Sequence, residues 1–328
     1  MNAKRVGYGL LLALGIALPM FGAYPVFVMD VLCFALFACA FNLLLGFAGL
    51  LSFGHAAFFG AAAYATGHAL RELGWPTELG LLLGVAVAAV LGLVIGSLAI
   101  RRSGIYFSMI TLALAQMLYF VFLQAPFTHG EDGLQGIPRG RLLGLVSLDD
   151  DLTLYYLVLA IFVAGYLLIR RIVHSPFGQI LSAVRDNEAR AISLGYATQR
   201  IKLLAFVLSA TLAGLAGALK ALVLGFASLT DAHWSMSGLV ILMVLVGGVG
   251  TLFGPLVGAL IVVGLEHKIG DIGAALAKIT GISWFSGLGE AVTIVTGFVF
   301  IVCVMAFRRG VIGECVAWWQ RRHGGLST

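Results

Sequence analysis

The chain has 328 residues, of which 61% are hydrophobic and 11% charged, and its mean hydropathy is +1.04. Those values exclude a soluble globular domain. The formal charge of +5 does not call for nucleic acid, because the basic residues cluster at the ends of apolar runs, as the positive-inside rule requires of a membrane protein.

Lys4 and Arg5 precede an apolar run at 6–23, which fits a first membrane helix better than a cleaved signal, since it is long for a signal core and has no clear small-x-small site. Further runs cover 26–45, 50–70, 79–100 and 105–123. Arg101 and Arg102 place the end of the fourth run in the cytoplasm. The polar loop at 124–151 holds Glu131, Asp132, Asp149, Asp150 and Asp151 against Arg139 and Arg141, an acidity that suits the outer face. The run at 152–169 returns to Arg170 and Arg171, and the run at 202–226 crosses outward, with Lys220 placed to snorkel to the interface.

The apolar region at 234–265 is interrupted by Gly247-Gly248-Val249-Gly250 and Gly254-Pro255, so it folds back on itself. It forms either two short crossings or a re-entrant hairpin. A last run at 288–307 then brings Arg308, Arg309, Arg321 and Arg322 inside. The predicted fold is an all-α polytopic membrane protein, a single domain over 1–328 with about ten segments and both termini cytoplasmic. Of the 20 lysines and arginines, this leaves only Arg71, Arg139, Arg141, Lys220, Lys268 and Lys278 outside or near the outer surface.

Between the arginine pair at 170–171 and the next run lies a polar segment, 172–200. Ser175-Pro176 signals a helix start, and Phe177, Ile180, Leu181 and Val184 recur at helical spacing. Arg185, Asp186, Asn187, Glu188 and Arg190 form a charged knuckle, and Gly195 supplies a left-handed stop. Two short cytosolic helices are expected. They can lie on lipid headgroups or dock a partner.

Two glycine joints are related: Gly46-x-x-Gly49-x-Leu51-x-Phe53-Gly54 recurs, one residue shorter, as Gly247-x-x-Gly250-x-Leu252-Phe253-Gly254. Such joints either line a pathway with unwound backbone or allow close helix packing, as Gly214-x-x-Gly217 does. Inside the apolar runs, Asn42, Ser52, His55, Gln116 and Glu290 need partners or water. With Phe53 and Gly250 of the joints, these are the candidates for a translocation pathway; each polar one can equally be a helix-to-helix hydrogen bond. His55 has no second ligand at metal spacing, no cofactor motif is present, and Cys33, Cys39, Cys303 and Cys315 read as small hydrophobes.

The stretch Asn42-Leu-Leu-Leu-Gly-x-Ala-Gly-x-Leu-Ser-Phe-Gly-His55, the loop Thr128-x-Gly-x-Asp132-Gly-Leu-x-Gly-Ile-Pro138, the knuckle Arg185-Asp-Asn-Glu-x-Arg190-Ala, and Gly247-Gly-x-Gly-Thr-x-x-Gly-Pro255 occur in that order. Together they resemble the bacterial branched-chain amino acid ABC importer permeases of the LivM type. Two positions depart from that pattern: His129-Gly-Glu131, where consecutive glycines are usual, and Lys220, where an uncharged residue is usual.

The resemblance implies a permease in the bacterial inner membrane, with Arg185, Asp186, Asn187, Glu188, Arg190 and Gly195 coupling it to an ATPase subunit. It implies as partners a second permease subunit of the LivH type, two ATPase subunits, a soluble periplasmic binding protein and membrane lipid, but no nucleic acid. The chain carries no G-x-x-x-x-G-K-[ST] motif, so ATP hydrolysis is expected on another chain. A secondary transporter is the competing class, but Asp30 and Glu290 are nearly its whole supply of deep ionisable groups.

Overall fold

The computed structural model describes residues 24–142 and 144–280, with Gly15, Leu18, Ile294, Gly297, Phe298, Ile301, Val302, Met305 and 310–314. The runs expected at 6–23 and 288–307 lie largely outside the described residues. Glu290, Cys303, Cys315, Arg308, Arg309, Arg321 and Arg322 lie wholly outside them.

Each helix starts and stops where its sequence allows. Helix α1, Pro25–Asn42, has proline in its first turn and runs into a π-helical turn at Leu43–Phe47. Helix α2 covers His55–Arg71 and α3 covers Thr77–Ala99. Helix α4, Ile105–Gln124, leads through the polar loop to α5, Asp151–Val173, whose cap Asp150 accepts from Thr153 N at 3.1 Å. Helices α6, Pro176–Asp186, and α7, Glu188–Ser193, are the short pair. Helix α8, Thr198–Leu224, ends on left-handed Gly225, and α9, Trp234–Gly247, doubles back into α10, Gly254–Thr280.

The packing is centred on α1. Every residue from Met29 to Asn42 is buried, which explains why this helix is apolar on all sides. Helix α8 lies against α1, α2 and α3, and Gly214-x-x-Gly217 is the seam. A Cβ on Gly217 would fall 2.0 Å from Phe59 O, and one on Gly214 would fall 2.2 Å from Ala88 Cβ. Close backbone approach through small residues holds helices together where lipid removes the hydrophobic drive. Helices α3 and α4, by contrast, turn Leu82, Val90, Leu93, Met109, Met117 and Phe120 outward.

Among the described residues, five helical stretches are long and apolar enough to cross a membrane: Pro25–Phe47, Thr77–Ala99, Ile105–Gln124, Asp151–Val173 and Thr198–Leu224. The expected fold-back at 234–265 is present: α9 has 14 residues, α10 has 27, and the two pack against each other. The start of the third run needs correcting, because α2 begins only at His55 and residues 49–54 are not helical.

Short strands also interrupt the all-α reading. Leu134–Gln135 (β1) pairs antiparallel with Phe226–Ala227 (β4), and Arg141–Leu142 (β2) pairs with Val146–Ser147 (β3). Arg71 donates to Gln135 O at 2.6 Å and Arg139 to Asp151 Oδ1 at 2.6 Å, which ties the loop to the ends of α2 and α5. At the departure from the family pattern, His129 has φ 61, the only positive φ at a non-glycine among the described residues. The histidine keeps the left-handed turn that glycine would take freely.

Candidate functional site

The two glycine joints are brought together. Asn42, the last residue of α1, donates from Nδ2 to Thr251 O at 2.8 Å and accepts at Oδ1 from Gly250 N at 2.9 Å. One amide therefore satisfies a donor and an acceptor of the broken backbone between α9 and α10. Gly46 is in the same contact, since a Cβ there would stand 2.6 Å from Gly250 N. Gly49 and Gly250 have φ 70 and 75, so both joints turn through the left-handed region that glycine enters freely. Gly310 closes the group: a Cβ on it would fall 2.4 Å from Gly248 Cα.

Residues 49–54 are strapped to α4. Ser108 Oγ donates to Leu51 O at 2.6 Å, Phe53 N donates to Thr111 Oγ1 at 3.3 Å, and Ser52 Oγ accepts from Gly54 N at 3.2 Å. Ser52 and Phe53 thus belong to the joint, where Ser52 has a local turn-forming role. Ser237, on α9, caps the start of α2 by accepting from Ala56 N at 2.9 Å.

His55 does not open onto the joints. It is fully buried among the rings of Phe41, Phe58 and Phe206, and its Nε2 bonds Ser209 Oγ at 2.9 Å, while that hydroxyl donates to Ala40 O at 2.6 Å. The hydrogen bond between His55 and Ser209 joins α2 to α8. Gln116 stands apart on α4, with a buried Oε1 that has no partner among the described residues.

The charged knuckle is sharper than its sequence suggested. Ser175 Oγ caps α6 by accepting from Gly178 N at 3.3 Å, and Asn187 alone separates the two helices, its Oδ1 accepting from Arg190 N at 2.9 Å. Gly195 ends α7 with φ 87. Asp186, Asn187 and Arg190 are exposed at the tip.

Two members of the knuckle, Arg185 exposed and Glu188 half-buried, also bond within this chain. Glu188 pairs with Lys202 Nζ at 2.6 Å, and Arg185 donates from Nη1 to Gly46 O at 2.6 Å. Val184 and Ala191 are buried in this chain, whereas Ile192, Leu194 and Tyr196 are exposed.

Sequence reasoning missed Thr251, Ser209 and Ser237, ordinary polar residues whose partners are remote in the chain, and Lys202, which pairs back onto the knuckle at Glu188. It also misplaced Lys220. The ammonium does not snorkel outward but meets Asp231 at 2.5 Å, with the rings of Phe34 and Phe59 at 5.4 and 5.7 Å. Close by, Asp30 Oδ2 lies 3.8 Å from His267 Nε2, while Asp30 Oδ1 is buried with no partner among the described residues.

Comparison with known proteins fits this architecture. Residues 26–304 match the family described as branched-chain amino acid transport system / permease component. The chain is 29% identical over 245 residues to the high-affinity branched-chain amino acid transport system permease protein LivM of Escherichia coli, covering 68% of this chain and 58% of that protein. It is 27% identical over 188 residues to a probable LivM of Methanocaldococcus jannaschii, covering 55% and 53%. It is also 31% identical over 182 residues to the autoinducer 2 import system permease protein LsrC of Klebsiella pneumoniae, covering 53% and 50%. The chain thus spans between half and three-fifths of the length of these curated relatives, and no solved structure matches it. With the family match covering most of its length, the chain belongs to the branched-chain amino acid transport permease family, as a multi-pass membrane protein of the LivM type.

Proposed function

We propose that this chain is the membrane-spanning permease subunit of an ABC importer for branched-chain amino acids in the bacterial inner membrane. It crosses about ten times with both termini cytoplasmic and pairs with a LivH-type subunit. A soluble periplasmic protein delivers substrate to the face bearing residues 124–151, and two ATPase subunits act on the knuckle within 172–200. Asn42, Gly250 and the backbone between them border the path.

The observation that carries this reading is the geometry at the knuckle. Asp186, Asn187 and Arg190 are exposed at the tip, while Arg185, from the same short helix as Asp186, donates to the broken backbone of the first joint. A docking element joined directly to a helix break can turn a push from outside the membrane into movement within it. The likeness to an autoinducer 2 permease supports a second reading of cargo only, in which the same machine carries another small polar solute, such as another amino acid, urea or a short amide.

Reconstitution with the cognate subunits in proteoliposomes tests both. Uptake of radiolabelled leucine, isoleucine and valine should require ATP and binding protein and should survive a protonophore. Uptake that needs a proton gradient instead of ATP would favour a secondary transporter. Uptake displaced by urea or acetamide but not by valine would establish the other cargo.

A further inference from the structure

We infer that Arg185 is a positioning residue for coupling, locking the α6 helix to both glycine joints at once rather than presenting its charge to the ATPase. The inference rests on the proposed function and deepens it. The guanidinium is held on one side by its neighbour: Nε and Nη2 reach Asp186 Oδ1 at 3.1 and 2.9 Å. That fixes the plane of the fork and aims the remaining nitrogen, Nη1, at Gly46 O, 2.6 Å away. The carbonyl is free to accept because the chain leaves its helix there through the π turn, and Leu50 N turns back to Leu44 O at 3.1 Å.

The carbon stem of Arg185 is engaged as well. It fills the space beside Gly49, where a Cβ would lie 2.6 Å from Arg185 Cγ. Gly46 in turn is pressed on Gly250, and Asn42 closes over Gly250 and Thr251 with two hydrogen bonds. Movement of α6 along its axis therefore pulls on the first joint, and the first joint cannot shift without the second. Three parts of the chain far apart in sequence share one contact, and a contact between a docking helix and two helix breaks is the kind of element whose two arrangements an ATPase can bias.

The two roles for Arg185 predict opposite losses. If it faces the ATPase, removing it weakens assembly. If it is internal, removal leaves assembly intact and raises the ATP consumed per solute moved. The test uses the full complex in proteoliposomes with radiolabelled leucine, comparing the parent with Arg185→Ala, Arg185→Lys and Asn42→Ala.

The expected result is that Arg185→Ala retains its ATPase subunits through purification like the parent and still hydrolyses ATP. Its ATP per leucine should rise by between about twofold and thirtyfold, the span that coupling residues typically command. Arg185→Lys, which keeps a donor for Gly46 O but loses the fork, should recover part of the loss. The double variant Arg185→Ala/Asn42→Ala should be no worse than the poorer single one, since both break the same lock. Loss of ATPase binding in Arg185→Lys, an unchanged ratio in Arg185→Ala, or additive losses in the double variant would each overturn the inference. A parent complex that imports no leucine would instead sink the functional reading on which it rests.

Discussion

Lys220 and Asp231 form a buried ion pair, 2.5 Å apart with side chains 10% and 2% exposed, joining the far end of α8 to the short 3-10 turn at Leu229–Ala232. Lys220 is one of the two departures from the pattern that the sequence resembles. A lysine introduced at that depth is tolerated because an acidic partner and two aromatic faces are already in reach.

Removing one partner of this pair should hurt more than removing both. Lys220→Met leaves Asp231 buried and uncompensated, a loss of about 3–5 kcal/mol, whereas Lys220→Met/Asp231→Asn should recover most of it. Thermal unfolding in detergent provides the comparison. Equal melting of the single and double variants would show that the pair is not coupled.

Glu188 calls for a different experiment. Because it holds Lys202, Glu188→Arg sets a cation against a buried ammonium and should distort the knuckle, weakening ATPase binding while membrane insertion stays normal. The charge swap Glu188→Lys/Lys202→Glu should restore binding. If the swap stays defective although Lys202→Ala binds normally, Glu188 meets the partner directly.

The glycine joints should differ in severity. At Gly49 a side chain meets both a left-handed backbone and the stem of Arg185; at Gly250 the nearest foreign atom is Gly46 O at 3.4 Å, which leaves backbone strain of about 1–2 kcal/mol as the main cost. Transport should therefore fall further in Gly49→Ala than in Gly250→Ala, and Gly250→Asn should be the mildest, since asparagine tolerates positive φ. Leucine should impair both sites. The reverse order, read from leucine uptake at matched expression, would exclude the packing of Arg185 on Gly49.

Sidedness can be read with a membrane-impermeant thiol reagent on cysteines placed at Gln135 and Gln179, both exposed, in a background lacking the 4 native cysteines. Intact cells should label Gln135→Cys and leave Gln179→Cys silent. The opposite pattern reverses the orientation.

The sequence was most informative where structure is local. Ser175-Pro176 and Gly195 bounded the short helices because caps and left-handed stops depend on neighbouring residues alone, and the apolar runs located the long helices for the same reason. The related glycine joints were visible, but not their meeting, since Asn42 and Gly250 are 208 residues apart and a single sequence carries no signal for such a pair. Lys220 was misread at shorter range: a charge near the end of an apolar run looks like an interfacial anchor until Asp231 is seen beside it. The late start of α2 escaped because residues 49–54 continue an apolar run, while hydrogen bonds to Ser108 and Thr111 on another helix hold them out of helical form.

The central position of α1 also sets an order of events during synthesis. Asn42 finds its partner Thr251 only 209 residues later, which at about 5–20 residues per second means a wait of roughly 10–40 s on the ribosome. During that interval its amide, like the carboxylate of Asp30, sits in a nascent helix whose enclosing walls α8, α9 and α10 have yet to emerge. An unmatched amide in hydrocarbon costs several kcal/mol. Among the described residues, the span with the most buried side chains therefore reaches its final surroundings only after α8, α9 and α10 have emerged.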